Sequence, residues 1–310
     1  MNSRNLRAIY LIILIALSVP SVYGKAKRSN DTPATKTINI KEKFTGLKVE
    51  GNIEVNYTQN SNAPKAIVKA PVDLMDEISY KVTPQGMLIF KMSKNTKNYD
   101  KIVIDLNGGL LNNYDVTATA QINILTPVMG KGPFNFAASS SGMVVAQKEV
   151  GEGSETINIA ASSSSELVFR AKISGNVVNL AISSATMIKM ASLNVSTLNY
   201  AGSSLGILNV ETMKADNVNV SVSSGSECDI ATAKASNLRI SASSGSEVTM
   251  ANCDINKVWL ETSSGSVATL SGKCNEAVLS SSSVAKINCK KLKIANIRSR
   301  NSSTGGSISL

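Results

Sequence analysis

The sequence predicts an all-β fold, a single-stranded parallel β-helix (β-solenoid) with an N-terminal β cap. Three observations predict it: a serine-rich repeat of about 20 residues, an alternation of apolar and polar residues around that repeat, and a 310-residue composition that is 43% apolar but only 4% aromatic. A unit this short cannot bury its apolar face alone, so successive units must stack. We expect right-handed coils, because most parallel crossovers have that hand.

The first 24 residues have the features of a secretory signal peptide. Arg4 and Arg7 precede an apolar run at residues 8–19, and small residues follow at 21–24. The run is shorter than the roughly 20 residues that a membrane-spanning helix needs, although a membrane anchor is the alternative. We expect cleavage after Gly24, a mature chain without a transmembrane segment, and export to the periplasm, the outer membrane or the extracellular space.

The part of the chain before the repeat is less regular. Residues 25–37 are polar and basic, and we expect them to form a flexible leader. Residues 38–132 alternate without a fixed period and contain several turn signals. We expect this region to be a β cap, because an uncovered end coil would expose apolar core and unpaired strand edges. Within it, residues 72–78 are predicted to form one helical turn.

Residues 133–310 carry the Ser-rich coils, and residues 38–310 are expected to form one continuous domain. The second serine of each repeat serves as a register mark. The marks are Ser140, Ser163, Ser184, Ser204, Ser224, Ser244, Ser264, Ser281 and Ser303. Apolar residues recur four residues before the first eight marks and four and six residues after them, which is the period-2 pattern of a half-buried strand.

We expect the nine marked serines to point inward as one structural column. Only small residues fit inside a coil where the backbone bends, and a serine hydroxyl can bond a backbone group exposed by the bend. A buried hydroxyl without a partner would cost about 1–3 kcal/mol, so each is expected to have one. An array of ligand-binding serines is the alternative.

All four cysteines lie in the C-terminal third of the chain. Cys228 is predicted to occupy an inward apolar column, whereas Cys253, Cys274 and Cys289 follow their marks by eight to ten residues. Neighbours in adjacent coils lie about 4.8 Å apart, within disulfide reach. We therefore expect either one disulfide among these three or free thiols that pack as small apolar side chains. No CxxC is present, and no metal or cofactor is predicted.

Two segments of the N-terminal region resemble a known family. They are KFTGLKVEGNIEVNYTQ at residues 43–59 and GMLIF at residues 86–90, and Ser/Gly-rich coils follow them. Together they resemble the auto-transporter adhesin head (GIN) domain family over roughly residues 40–300. The resemblance implies a β-helical, exported protein of a kind common in Bacteroidetes, with an adhesin function. The family offers no catalytic residues to carry over.

The composition argues against an enzyme. Histidine is absent, which removes Ser-His-Asp and Cys-His catalysis, and we expect no catalytic residues. The alternative is a carbohydrate-active β-helix enzyme, either a polysaccharide lyase or a glycoside hydrolase. Glu227 and Glu247 hold the same place in adjacent coils, so their carboxylates would lie about 5 Å apart, as in retaining glycosidases. They are candidates for ligand or weak cation binding, or simply a solvated edge.

The net charge of +10 suggests an affinity for polyanions, such as acidic glycans or anionic envelope surfaces, and a merely solvated basic surface is the alternative. No nucleic-acid partner is expected, because the cations are scattered and no aromatic residues are interleaved for base stacking. Trp259, the only tryptophan, falls on an outward position where it could stack on a sugar or a partner, and a position covered by a loop is the alternative.

The predicted function is that of a non-catalytic, exported cell-envelope or surface adhesin. It would bind a glycan or a cell-surface protein through a long outer sheet, which offers many weak contacts rather than one deep pocket. A purely structural envelope component that self-associates is a third interpretation.

Overall fold

The computed structural model describes residues 33–93 and 102–310. The predicted signal peptide and residues 25–32 of the predicted leader lie outside this described part. Within it, the regular structure consists of one 3-10 helix, Val72–Glu77, and 22 strands that join into a single sheet. The prediction of an all-β parallel solenoid is confirmed, and so is the helical turn at residues 72–78.

The first ten strands are short. They are β1 Pro33–Asn39, β2 Gly46–Glu50, β3 Ile53–Gln59, β4 Lys65–Pro71, β5 Ile78–Val82, β6 Met87–Met92, β7 Ile102–Gly108, β8 Asn113–Thr117, β9 Gln121–Ile124 and β10 Val128–Met129.

Most later strands are much longer. They are β11 Phe134–Ala138, β12 Met143–Ala146, β13 Val150–Glu152, β14 Thr156–Ala161, β15 Glu166–Ile182, β16 Met187–Gly202, β17 Ile207–Val222, β18 Glu227–Ala242, β19 Glu247–Thr262, β20 Val267–Ser281, β21 Lys286–Ser302 and β22 Ser307–Ser309.

Each long strand winds once around the core and bends twice. In β17, buried and exposed residues alternate except at residues 211–212 and 216–217, where two exposed residues stand together. These bends separate three faces, which we call face 1 (residues 207–210 and their equivalents), face 2 (213–215) and face 3 (218–222). A four-residue turn, 223–226 in this coil, connects face 3 to face 1 of the next coil.

Successive coils stack in parallel and in register. Leu208 lies opposite Ile188 in one neighbouring coil and opposite Cys228 in the other. The turns stack as well, since the backbone N–H of Gly225 donates to the carbonyl of Ser244 at 3.1 Å. Every position therefore lies about 4.8 Å from its equivalents, and like positions form columns along the axis.

The stacking begins well before residue 133, where the sequence pattern had placed the first coil. β2 pairs in parallel with β6 and β8, and β3 with β7 and β9. β8 and β9 then pair with β11 and β12. β2, β3 and β6 to β9 thus belong to the solenoid, and the irregular connections between these short strands hide the repeat from the sequence pattern.

The cap itself consists of antiparallel strands. β4 pairs with β7 and β1 with β4, while β5 pairs with β6. The seven register pairs of β1 with β4 correct the prediction of a flexible leader for residues 33–37. β7 pairs with one edge of β4, and β1 satisfies the backbone groups of the other edge, which would otherwise remain unpaired.

The marked serines do not form an inward column. Eight of the nine are exposed and only Ser281 is buried. The first seven have φ between 51° and 59°, a left-handed conformation that turns the side chain outward at the tip of the turn. Ser281 and Ser303 are out of register, because Ser283 and Thr304 hold the equivalent left-handed positions.

The hydroxyl residues that do point inward lie two positions after the register marks in the sequence. They are Ser165, Thr186, Ser226, Ser246 and Ser266, all buried. Ser246 Oγ donates to the carbonyl of Val222 and accepts from the N–H of Ser243, both at 3.1 Å. A small, hydrogen-bonded hydroxyl at the bend was therefore correctly expected, but the left-handed turn moves it to another position.

Replacing an inward serine should cost more stability than replacing a marked one. We expect Ser246→Ala to lower the free energy of unfolding by about 1 kcal/mol, because a buried carbonyl loses one of its donors. The matched variant Ser244→Ala removes an exposed hydroxyl and should change it by less than about 0.5 kcal/mol. Denaturant unfolding of both variants tests this, and an equal or reversed order would contradict the assignment.

Candidate functional site

A ladder of asparagine side chains runs along the outer surface of face 3. Each Nδ2 donates to the Oδ1 of the asparagine one coil earlier, in five hydrogen bonds of 2.8–3.0 Å. The six members are Asn113, Asn135, Asn158, Asn179, Asn199 and Asn219. Arg239 and then Trp259 continue the column in the next two coils.

The in-register stacking explains why the ladder forms. Identical short amides about 4.8 Å apart can bond directly, whereas a shift of one residue would send alternate side chains into the core. An amide has two N–H donors and an oxygen with two lone pairs. Each inner asparagine of the ladder uses one N–H and one oxygen lone pair in hydrogen bonds to its two neighbours. Its second N–H and its second lone pair remain available to a ligand.

A column of small residues lies beside the ladder and forms the floor of a groove. The column consists of Ala137, Ala160, Ala181, Ala201, Ser221 and Ser241. The groove has a volume of about 510 Å³ and crosses five coils, from Asn158 to Arg239. At about 4.8 Å per coil it is roughly 19 Å long. An adjoining groove of about 480 Å³ continues across the floor toward the turns.

Planar and charged side chains lie at the C-terminal end of the ladder groove. Trp259 is 40% exposed, so its predicted outward position is correct, and it lies in register beside Arg239. Arg239 pairs with Glu261 at 3.7 Å. The indole can contact the apolar face of a ring and the guanidinium can donate to oxygen atoms. The groove thus combines repeated hydrogen-bonding groups with a flat floor, and Trp259 offers an aromatic surface one coil beyond its end.

Glu227 and Glu247 lie elsewhere, on face 1. They are register partners, as their spacing predicted, and both are exposed. The Thr249 hydroxyl donates to Glu247 Oε1 at 3.4 Å. Burial, followed by the charges of Glu247 and Asp229, raises the pKa of Glu227. The turn separates this pair from Trp259, so the three predicted binding residues do not form one site.

The structure contains all four cysteines as buried free thiols. Cys253 lies opposite Gly272 rather than opposite Cys274, so of the two alternatives for Cys253, Cys274 and Cys289 the structure has free thiols and not a disulfide. Register shifts on either side of β20 place these three residues in different columns. Burial raises the pKa of Cys253 to about 11 and that of Cys289 to about 12, which disfavours reactive thiolates.

Two structural features bear on other classes of site. Among residues 33–93 and 102–310, no group of three or more His, Cys, Asp or Glu side chains is placed to hold a metal ion. No helix in that same part of the chain is long and apolar enough to cross a membrane.

The ladder is the main feature that our sequence reasoning missed, although its signal is present. Asparagine stands five residues before the mark in five successive repeats, from Asn135 to Asn219. The alternating pattern identifies these asparagines only as outward polar residues. Only the register reveals that they bond to one another.

Comparisons with known proteins agree with this fold. A family model described as "Putative auto-transporter adhesin, head GIN domain" matches residues 43–234 and 227–310. A "putative adhesin" from Parabacteroides merdae has a similar crystal structure, with a TM-score of 0.54 and 14% identity, over 88% of this chain and 98% of that one. A "Putative lipid binding protein" from Parabacteroides distasonis has a TM-score of 0.53 and 17% identity, over 90% and 97%. None of the curated proteins matches this sequence closely.

Replacing Glu227 should stabilise the protein in a pH-dependent way. A raised pKa in the folded state means that its neutral carboxyl contributes stability below the ordinary value of about 4.3, which is lost as the pH rises through the folded-state pKa. We expect Glu227→Gln to raise the melting temperature at pH 7 and to leave it unchanged at pH 3. Thermal unfolding at both values tests this, and a lower melting temperature at pH 7 would contradict it.

Proposed function

The chain belongs to the family described as "Putative auto-transporter adhesin, head GIN domain", and on that basis we propose that it is a non-catalytic adhesin of the cell envelope or surface. It is exported to the periplasm, the outer membrane or the cell exterior and binds a glycan or a protein along the ladder groove of face 3. The observation that carries this proposal is the asparagine ladder. In successive coils it presents the same amide N–H donor and amide oxygen acceptor that the ladder itself does not use.

The shape of the groove supports binding of an extended ligand rather than turnover. Small-molecule and catalytic sites are usually concave pockets with a few convergent polar groups. The ladder groove instead runs over five coils and repeats its chemistry with each one. A glycan chain offers hydroxyls along its length, and an extended protein segment offers backbone N–H and C=O groups. A glycan or a protein segment can therefore form hydrogen bonds with several asparagines at once, through the amide groups that the ladder leaves available.

The names of the structural neighbours do not identify the ligand of this chain. One is called an adhesin and the other a lipid binding protein, and the same fold commonly supports different functions. We therefore infer the chemistry of the ligand from the outward-facing residues of this chain. Its amide ladder suits hydrogen-bonding partners better than acyl chains, which would leave the amides unpaired.

The proposal is tested by binding the purified chain to an array of envelope glycans and surface proteins. We expect a ligand whose affinity falls about tenfold with Asn199→Ala, which removes one net hydrogen bond to the ligand and disrupts its neighbours. Trp259→Ala should weaken the same ligand if that ligand reaches the end of the groove. Melting temperatures of the variants establish that they remain folded.

The matched control is Asn209→Ala, which removes a half-buried asparagine from face 1. It should leave binding unchanged, and an equal loss in both asparagine variants would contradict a site on face 3. Turnover of a polysaccharide that Glu247→Gln abolishes would favour the enzyme alternative. Self-association in light scattering, without any bound ligand, would favour a structural role.

A further inference from the structure

Face 2 carries a column of lysines that is separate from the ladder groove. The outward position of face 2 is occupied in five successive coils by Lys214, Lys234, Asp254, Lys273 and Lys293. All four lysines are exposed. We call this set the lysine column.

The arrangement places like charges directly opposite each other. Lys214 is the register partner of Lys234, and Lys273 is the register partner of Lys293. Like charges on directly opposite strands are destabilising. The free chain therefore carries an electrostatic cost along face 2 that a bound anion would relieve.

Few acids neutralise this column. Asp254 pairs with Lys273 at 3.3 Å. Among the described residues, no ion pair is formed by Lys214, Lys234 or Lys293.

Three more acids, Glu211, Asp216 and Glu276, stand at the bends that flank face 2. Asp216 lines a groove of about 240 Å³ together with Lys214 and Lys234. Glu276 pairs with Lys257 and Arg298.

The C-terminal coil extends the same charge. Residues 286–310 contain six lysines and arginines and no acid. Lys290 and Lys291 stand at the bend just before face 2 of that coil, and both are exposed. The positive surface therefore runs along the axis and is strongest at its C-terminal end.

We propose that the lysine column of face 2 binds a linear polyanionic polysaccharide, laid along the solenoid axis. Its four cations lie along one line as two pairs of neighbours about 4.8 Å apart, one pair on each side of Asp254, and a polyuronate carries one carboxylate on each sugar. This site does not depend on the ladder groove, which lies on another face and lacks such a row of cations.

The surroundings of the column favour a polysaccharide over other polyanions. Single-stranded nucleic acid would need aromatic side chains for base stacking, and the positions beside the column hold none. An interfacial membrane site would need large apolar side chains to insert between lipids. The large exposed apolar residues of this part of the solenoid lie elsewhere: Trp259 and Ile297 belong to face 3, and Leu205 and Val284 to the turns.

The test measures binding of the purified chain to polygalacturonate, with neutral dextran as a second probe. We expect polygalacturonate to bind and the affinity to fall as salt rises, since exposed charges are screened. The triple variant Lys214→Gln, Lys234→Gln, Lys293→Gln should weaken binding roughly tenfold, because it removes three exposed ionic contacts. Dextran should not bind.

The matched control removes three exposed lysines from the N-terminal region: Lys36→Gln, Lys65→Gln and Lys81→Gln. Its net charge equals that of the first triple variant, so a purely non-specific attraction would weaken equally in both, which would overturn the proposal. Failure to bind polygalacturonate would also overturn it, as would lysine-dependent binding to phosphatidylglycerol vesicles alone. Asn199→Ala should leave polygalacturonate binding unchanged, which separates this site from the one proposed on face 3.

Discussion

The in-register hydrogen bonding between successive coils is the constraint on which the rest of this structure depends. It places each residue about 4.8 Å from the residue that holds the same position in the next coil. A residue type that recurs once in every coil therefore forms a column of like side chains along the axis. Leu198, Val218 and Leu238 become part of a dry interior column, while Asn179, Asn199 and Asn219 become a hydrogen-bonded row outside. The in-register stacking of the coils therefore produces both the apolar core and the outer binding surface.

Packing inside the coils shows how variation is tolerated under this constraint. Tyr200 and Gly202 occupy inward positions that the next coil fills with Val220 and Val222. A Cβ on Gly202 would collide with the Tyr200 hydroxyl, which donates to the carbonyl of Glu227 at 3.2 Å. A large residue in one column is thus offset by a missing side chain in the adjacent one. The interior keeps its packing density although its residues change from coil to coil.

Sequence reasoning predicted what depends on period and alternation. The repeat established the parallel stacking, the inward columns and the exposure of Trp259, because these follow from counting residues along one coil. It failed where local backbone geometry decides the outcome. The left-handed φ of Ser244 turns its side chain outward, and a register shift beside Cys253 places it opposite Gly272, which the count of residues does not reveal. The asparagine ladder was also missed, since its hydrogen bonds join residues about 20 positions apart.

The most direct test of this account is a set of distances along one outer column. Spin labels on cysteines introduced at Ala137, Ser221 and Glu261 would report four and six coil intervals, the four native thiols being buried. Pulsed electron spin resonance should give about 19 Å from residue 137 to 221 and about 29 Å from residue 137 to 261, in equal steps per coil. Distances that do not grow in proportion to the number of coils would contradict in-register stacking and, with it, both proposed binding surfaces.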